Sequence, residues 1–147
     1  MLRTMTIEDF DAVLAVWQLS ELRIEPEDDR AGIDKFLQAE YSTGFVFVND
    51  DTLESKSDEQ ILGAVLCGSD GRFGYIHHLA VHPAYRENGT GRALVDACVQ
   101  FLKIKCCIRT VAVFVWDHNC QGIDFWTRSG FQLHDGLSVL SLTDFHP

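Results

Sequence analysis

Tyr75, His77 and His78 lie within four residues of one another in the run Gly74-Tyr75-Ile76-His77-His78-Leu79-Ala80-Val81. Imidazole is the side chain whose ordinary pKa is best matched to moving a proton near neutral pH. In a regularly pleated strand the two histidines point to opposite faces, so at most one faces a given ligand. For each, a hydrogen-bonded sheet histidine without a catalytic part is an equal alternative. Immediately downstream, Arg86-x-x-Gly89-x-Gly91 follows a break at Pro83. Two glycines remove Cβ atoms where a backbone must approach something closely, and the amides opening the next helix have no intrahelical acceptor. With the positive end of the helix dipole added, a phosphate or pyrophosphate is the expected guest.

These residues need a strand, a loop and a helix in that order. A β-prone run ends at Val81, and Leu94, Ala97, Cys98, Phe101 and Leu102 then repeat with helical spacing. Ahead of them, Leu2 to Met5 reads as a first strand. Thr6 with Asp9 resembles a capping box before a helix from Ile7 to about Ser20. Glu21 to Arg30 is an acidic loop broken by Pro26, and Ile33, Phe36, Leu37 and Tyr41 resume helical spacing. Phe45–Val48 and Ile61–Cys67 read as interior strands. Between them, Asp50 to Gln60 lacks periodicity and is expected to be a mobile solvent loop. Strand Arg109–Val115, a helix from Asn119 to Ser129 closed by Gly130, and final strands at Phe131–Leu133 and Leu137–Leu142 complete the order βααβββαβαββ.

The 147 residues predict one domain spanning 1–147, with 46% hydrophobic residues to fill a core. No apolar run is long enough to span a bilayer and no signal sequence is evident, so no membrane partner is expected and the location is expected to be cytoplasmic. A net charge of -10, with twelve Lys and Arg, disfavours nucleic acid and favours cationic partners. The five cysteines, Cys67, Cys98, Cys106, Cys107 and Cys120, lack paired C-x-x-C spacing, so neither a disulfide framework nor a zinc site is indicated. Adjacent Cys106 and Cys107 read as a helix end rather than a redox pair.

The glycine loop lacks the Lys-Ser or Lys-Thr of a P-loop and does not fit Rossmann spacing. Preceded by Leu-Ala-Val-His-Pro and followed by Asn119-x-x-Gly122-x-x-Phe125-Trp126 and Gly130-Phe131, it resembles motif A of the GCN5-related N-acetyltransferase (GNAT) superfamily. The resemblance is strongest over residues 60 to 132. It implies an α/β (α+β) fold: a mixed, mostly antiparallel sheet of six to seven strands with splayed central strands, flanked by about four helices. It also implies an acetyl-CoA-dependent N-acetyltransferase that works by direct attack in a ternary complex, without metal. The acceptor would be a small-molecule amine or a peptide N-terminus.

By that resemblance, the backbone of Leu79, Ala80 and Val81 pairs with the pantetheine arm. Arg86 begins the motif, and the amides of Glu87, Asn88, Gly89, Thr90, Gly91 and Arg92 cradle the pyrophosphate. A surface ion pair from Arg86 to Glu87 or Asp96 is the plainer alternative. Asn119 would lie near the pantetheine or its thiol, or simply cap its helix, with Phe125 nearby. Trp126 departs from the pattern, standing where the family often has a tyrosine that protonates the departing thiolate. Indole cannot supply that proton, so Trp126 can only line the pocket or donate a hydrogen bond. Tyr75, His77 and His78 remain as acid or base candidates, with water able to protonate a thiolate whose pKa is about 8.5. Glu25, Glu27, Asp28 and Asp29 fall in the segment that overhangs the acceptor cleft in this superfamily, and together could attract a cation. The resemblance also admits a homodimer, with Trp17 or the C-terminal strand at its interface. Loss of the tyrosine raises an alternative: an acyl-CoA-binding sensor or interaction module with little turnover.

Overall fold

The computed structural model describes residues 1–49 and 59–143. Most of the joining segment predicted as a solvent loop, residues 50–58, lies outside them. The chain divides into two compact units, residues 1–114 and 115–147.

In the first unit, five strands lie in chain order: β1 (Leu2–Thr4), β2 (Ser42–Val48), β3 (Ile61–Ser69), β4 (Gly74–Val81) and β5 (Val111–Val113). The first four pair antiparallel, and β5 joins β4 in parallel. On one face lie α1 (Phe10–Leu19) and α2 (Arg30–Gln38). Their Val13, Val16, Trp17 and Ile33 form one core cluster with Val46, Val48, Ala64, Leu66 and Ala80. On the other lies α3 (Thr90–Gln100), whose Leu94 and Thr90 would meet a side chain added at Gly63 of β3. Helix layers on both faces explain why β3 is buried at eight consecutive positions and reads as a continuous apolar run.

The Thr6–Asp9 capping signal is realised. Asp9 accepts from the Thr6 amide at 2.9 Å, and a short 3-10 turn (Ile7–Asp9) feeds α1. Burial opposes ionisation of Asp9. The Arg3 guanidinium, 2.8 Å away, and the Thr6 amide outweigh it and hold the carboxyl below its usual range. Trp17, a candidate interface residue, is fully buried instead, because its indole packs in the α1 core and its N–H finds a partner on β4.

The second unit holds α4 (Cys120–Arg128), begun by Asn119 and followed by Gly130 at φ +97°. The expected final strands at 131–133 and 137–142 are not formed, so among the described residues the sheet has five strands rather than six or seven. Leu133, Leu137, Val139, Leu140 and Leu142 are 71–89% exposed. A strand exists only through its ladder, and an apolar run without a pairing partner stays irregular. Strand β5 is also shorter than the predicted 109–115, since its pairing stops at Ile76–Val113.

Candidate active site

The centre of the first unit is an irregularity in β4. Ala64 pairs with Ala80, and Leu66 pairs with His77, so His78 and Leu79 together oppose Val65 in a β-bulge. His78 takes φ +54°, a left-handed conformation that histidine tolerates better than most residues but that still costs about 1–2 kcal/mol. Three contacts hold it. Trp17 Nε1 donates to the His78 carbonyl at 3.1 Å, the two rings meet edge-on at 4.9 Å, and His78 Nε2 lies 2.8 Å from Asp28 Oδ2.

The bulge overturns the expectation that His77 and His78 face opposite ways. The His77 ring packs edge-on to Phe36 of α2 at 6.3 Å, and His78 packs on Trp17 of α1, so both imidazoles lie on the side of the N-terminal helices. An extra residue in the strand shifts the two-residue alternation by one. Burial, reinforced by neighbouring His78 and partly offset by Asp28, lowers the pKa of His77 and favours its neutral form. Tyr75 stacks against His77 at 6.2 Å, but its hydroxyl donates to Asp70 at 3.3 Å. Desolvation and the Asp70 charge raise its pKa, which makes it a poorer acid.

Asp28 is the residue that sequence reasoning left undistinguished among its acidic neighbours. It is buried, whereas Glu25, Glu27 and Asp29 are exposed. Pro26 opens a 3-10 turn over Pro26–Asp28, and the Glu25 amide donates to Asp28 Oδ2 at 2.8 Å. Pro one residue after Glu25 and an acid three residues after it formed the local signal that this carboxylate turns back on its own chain. Asp29 caps α2 by accepting from Gly32 at 2.7 Å.

Beyond β4, Pro83–Tyr85 form a 3-10 turn, Glu87 and Gly89 take φ +67° and +81°, and α3 starts at Thr90. The amides of Thr90, Gly91 and Arg92 occupy its first turn, where no preceding carbonyl is available within the helix. A Cβ built on Gly89 would meet nothing within 4 Å, so the space beside this turn is open. Arg86 forms neither of the ion pairs considered for it. Its Nε donates to the Val81 carbonyl at 3.2 Å, while Asp96 pairs with Arg92. Among the described residues, β5 leaves the β4 edge from His77 to Val81 without a ladder partner, and the Val81 carbonyl accepts from Ser20 Oγ as well as Arg86. An open edge and an open helix start suit an extended ligand with a phosphate group.

In the second unit, Asn119 Oδ1 accepts from the Gly122 amide at 3.0 Å, an N-cap. A Cβ at Gly122 would come 2.5 Å from Asn119 Nδ2, the end of an exposed side chain that would have to shift. Trp126 sits edge-on between Phe125 at 5.3 Å and Phe131 at 4.9 Å. The structure thus brings Tyr75, His77 and His78 together with Asp28 in the first unit, while Asn119, Phe125 and Trp126 belong to the second. Among the described residues, no group of three or more His, Cys, Asp or Glu side chains could hold a metal ion, and no helix is long and apolar enough to cross a membrane. All five cysteines are free. Buried Cys98 is held far above the usual thiol range by its hydrogen bond with Cys67 and by desolvation.

Known structures share this fold. The BH1408 protein of Bacillus halodurans, solved as a tetramutant, aligns with TM-score 0.76 at 21% identity over 97% of this chain and 99% of its own. The aminoglycoside acetyltransferase meta-AAC0020, from an uncultured soil metagenomic sample and bound to sisomicin, aligns with TM-score 0.70 at 19% identity over 97% and 95%. Rv2747 of Mycobacterium tuberculosis, bound to CoA and NLQ, aligns with TM-score 0.72 at 20% identity over 96% and 76%. A model of the Acetyltransferase (GNAT) family matches residues 10–131, which include the bulged strand, the glycine loop, α3 and α4, and the chain belongs to that family.

Proposed function

We propose that this chain is an acetyl-CoA-dependent N-acetyltransferase in which both units act as a single domain, and that its acceptor is a small cationic primary amine. The observation that carries the reading is the β4–loop–α3 element: an unpaired strand edge leading through left-handed Gly89 into an open helix N-terminus. Family membership and CoA-bound and aminoglycoside-bound structures of the same fold support it.

Acetyl-CoA supplies an activated acetyl thioester when bound. In this reading the amides from Glu87 to Arg92 hold its pyrophosphate and Leu79–Val81 line its pantetheine. The acceptor arrives as an ammonium and must lose a proton before its nitrogen can attack. A neutral imidazole on β4 is suited to take that proton. The Trp126 indole N–H is not acidic enough to release its proton, and Tyr75 is tied to Asp70, so water protonates the leaving thiolate.

Acceptor turnover is tested by screening polyamines, aminoglycosides, amino acids and peptides for thiol release. Donor binding is tested by calorimetry with acetyl-CoA. Gly89→Ala introduces no clash and only left-handed strain, so it binds within about tenfold of wild type, a difference of at most about 1.4 kcal/mol. Gly89→Asp places a carboxylate against the pyrophosphate and loses more than about 100-fold in affinity, equivalent to roughly 2.7 kcal/mol. Unchanged affinity in folded Gly89→Asp refutes the donor site. Tight acetyl-CoA binding with no thiol released from any amine favours a sensor, the reading that Trp126 motivates.

A further inference from the structure

We propose that Asp28 is a positioning residue for acetyl transfer, which makes His78, rather than His77 or Tyr75, the base that deprotonates the acceptor amine through its Nδ1 atom. This inference rests on the acetyltransferase reading above and concerns how its proton is handled.

The geometry defines the tautomer. Asp28 Oδ2 lies 2.8 Å from His78 Nε2 and also accepts the Glu25 amide at 2.8 Å, so this oxygen acts as an acceptor and the imidazole nitrogen facing it carries the hydrogen. A neutral His78 therefore has its lone pair on Nδ1. No described residue hydrogen-bonds that atom, and 22% of the side chain is exposed. When Nδ1 takes a proton from the acceptor ammonium, the ring becomes an imidazolium whose other N–H already points at a buried carboxylate. The proton then returns to solvent after transfer. A carboxylate that orients an imidazole and balances the charge it acquires is an efficient partner for a proton-accepting histidine.

Neither rival has these features. The described residues offer no hydrogen bond to His77, and its ring lies between Phe36 and Tyr75. Around His78, the charged or titratable groups are Asp28 from the α1–α2 segment and His77 on its own strand. Helix α1 presents uncharged Trp17, and β3 presents Val65 across the bulge. The strained backbone has a purpose in this arrangement: without the bulge, regular pleating would turn His78 away from Asp28.

The test pairs spectroscopy with kinetics on the full chain. Long-range 15N–1H spectra of neutral His78 should show the Nε2–H tautomer in wild type. They should show a mixed or Nδ1–H population in Asp28→Asn, whose amide can present N–H or oxygen to the ring. With an acceptor found by the screen, Asp28→Asn should lower kcat by about 10- to 100-fold with KM changed less than about threefold, Asp28→Glu should recover part of that loss, and Asp28→Asn should add nothing in a His78→Ala background. A wild-type Nδ1–H tautomer, or an undiminished kcat in folded Asp28→Asn, overturns the proposal. The spectra need no acceptor. A correct tautomer with no turnover on any amine therefore faults the acetyltransferase reading, while turnover that is indifferent to Asp28 faults this inference alone.

Discussion

Two adjacent histidines on one strand end in different electrostatic situations. His78 has a carboxylate partner, whereas His77 is surrounded by rings, and burial lowers its pKa below the ordinary 6.5. The consequence for stability has a definite sign. Below about pH 6.5 the unfolded chain binds a proton at this residue that the folded chain resists, so stability falls as the solution is acidified from 6.5 through the folded pKa. Replacing His77 with Phe removes that proton while keeping a ring between Phe36 and Tyr75. The drop in Tm between pH 7.5 and pH 5.5 should therefore be smaller in His77→Phe than in wild type, measured by calorimetry at both pH values. An equal drop would mean that His77 does not carry the acid sensitivity. The two histidines were readable from sequence as titratable candidates, but their different surroundings were not. These depend on a left-handed residue that is not glycine and on a carboxylate fifty positions away in the chain.

At the scale of the element, what the sequence disclosed was local and what it concealed was long-range. Strand β4 begins and ends where Gly74 and Pro83 punctuate the chain, and α4 lies between Asn119 and Gly130, because caps and breakers act on their immediate neighbours. The bulge depends on pairing with β3, and the runs at 131–133 and 137–142 failed as strands because composition supplies β-propensity but not a partner. The 3-10 turn that carries Asp28 shows how an element passes geometry to the site. A Cβ on Gly32 of α2 would collide with the Glu27 carbonyl, so the first turn of α2 must stay bare for the 26–28 turn to pack on it. Gly32→Ala should destabilise the protein by about 1–3 kcal/mol through overpacking, despite the gain in helix propensity. That lowers Tm by several degrees. Because the displaced carbonyl precedes Asp28, kcat should fall as well. Lys35→Ala, an exposed change on the same helix, should leave both unchanged. A stabilised Gly32→Ala variant would show that the turn adjusts freely.

For the molecule as a whole, the feature not confined to any element is charge. Twenty-two acidic residues against twelve basic ones give a net -10, and the α1–α2 segment adds exposed Glu25, Glu27 and Asp29 beside the buried Asp28. In the proposed reading the anionic donor is held through the backbone amides from Glu87 to Arg92, so an acidic surface and an anionic cosubstrate coexist because recognition there is local and uses the helix-end dipole. The acceptor side has no such constraint, and a negative field raises the local concentration of a polycation. Exposed charges act over the Debye length, which shrinks from about 30 Å at 0.01 M salt to about 8 Å at 0.15 M. For a polycationic acceptor, KM should therefore rise several-fold across that range with kcat nearly constant, while an amine acceptor with no net charge should show little change. Initial rates at fixed saturating acetyl-CoA measure both. A polycation whose KM ignores salt would mean that the acidic surface does not attract the substrate and that selection rests on contacts inside the cleft.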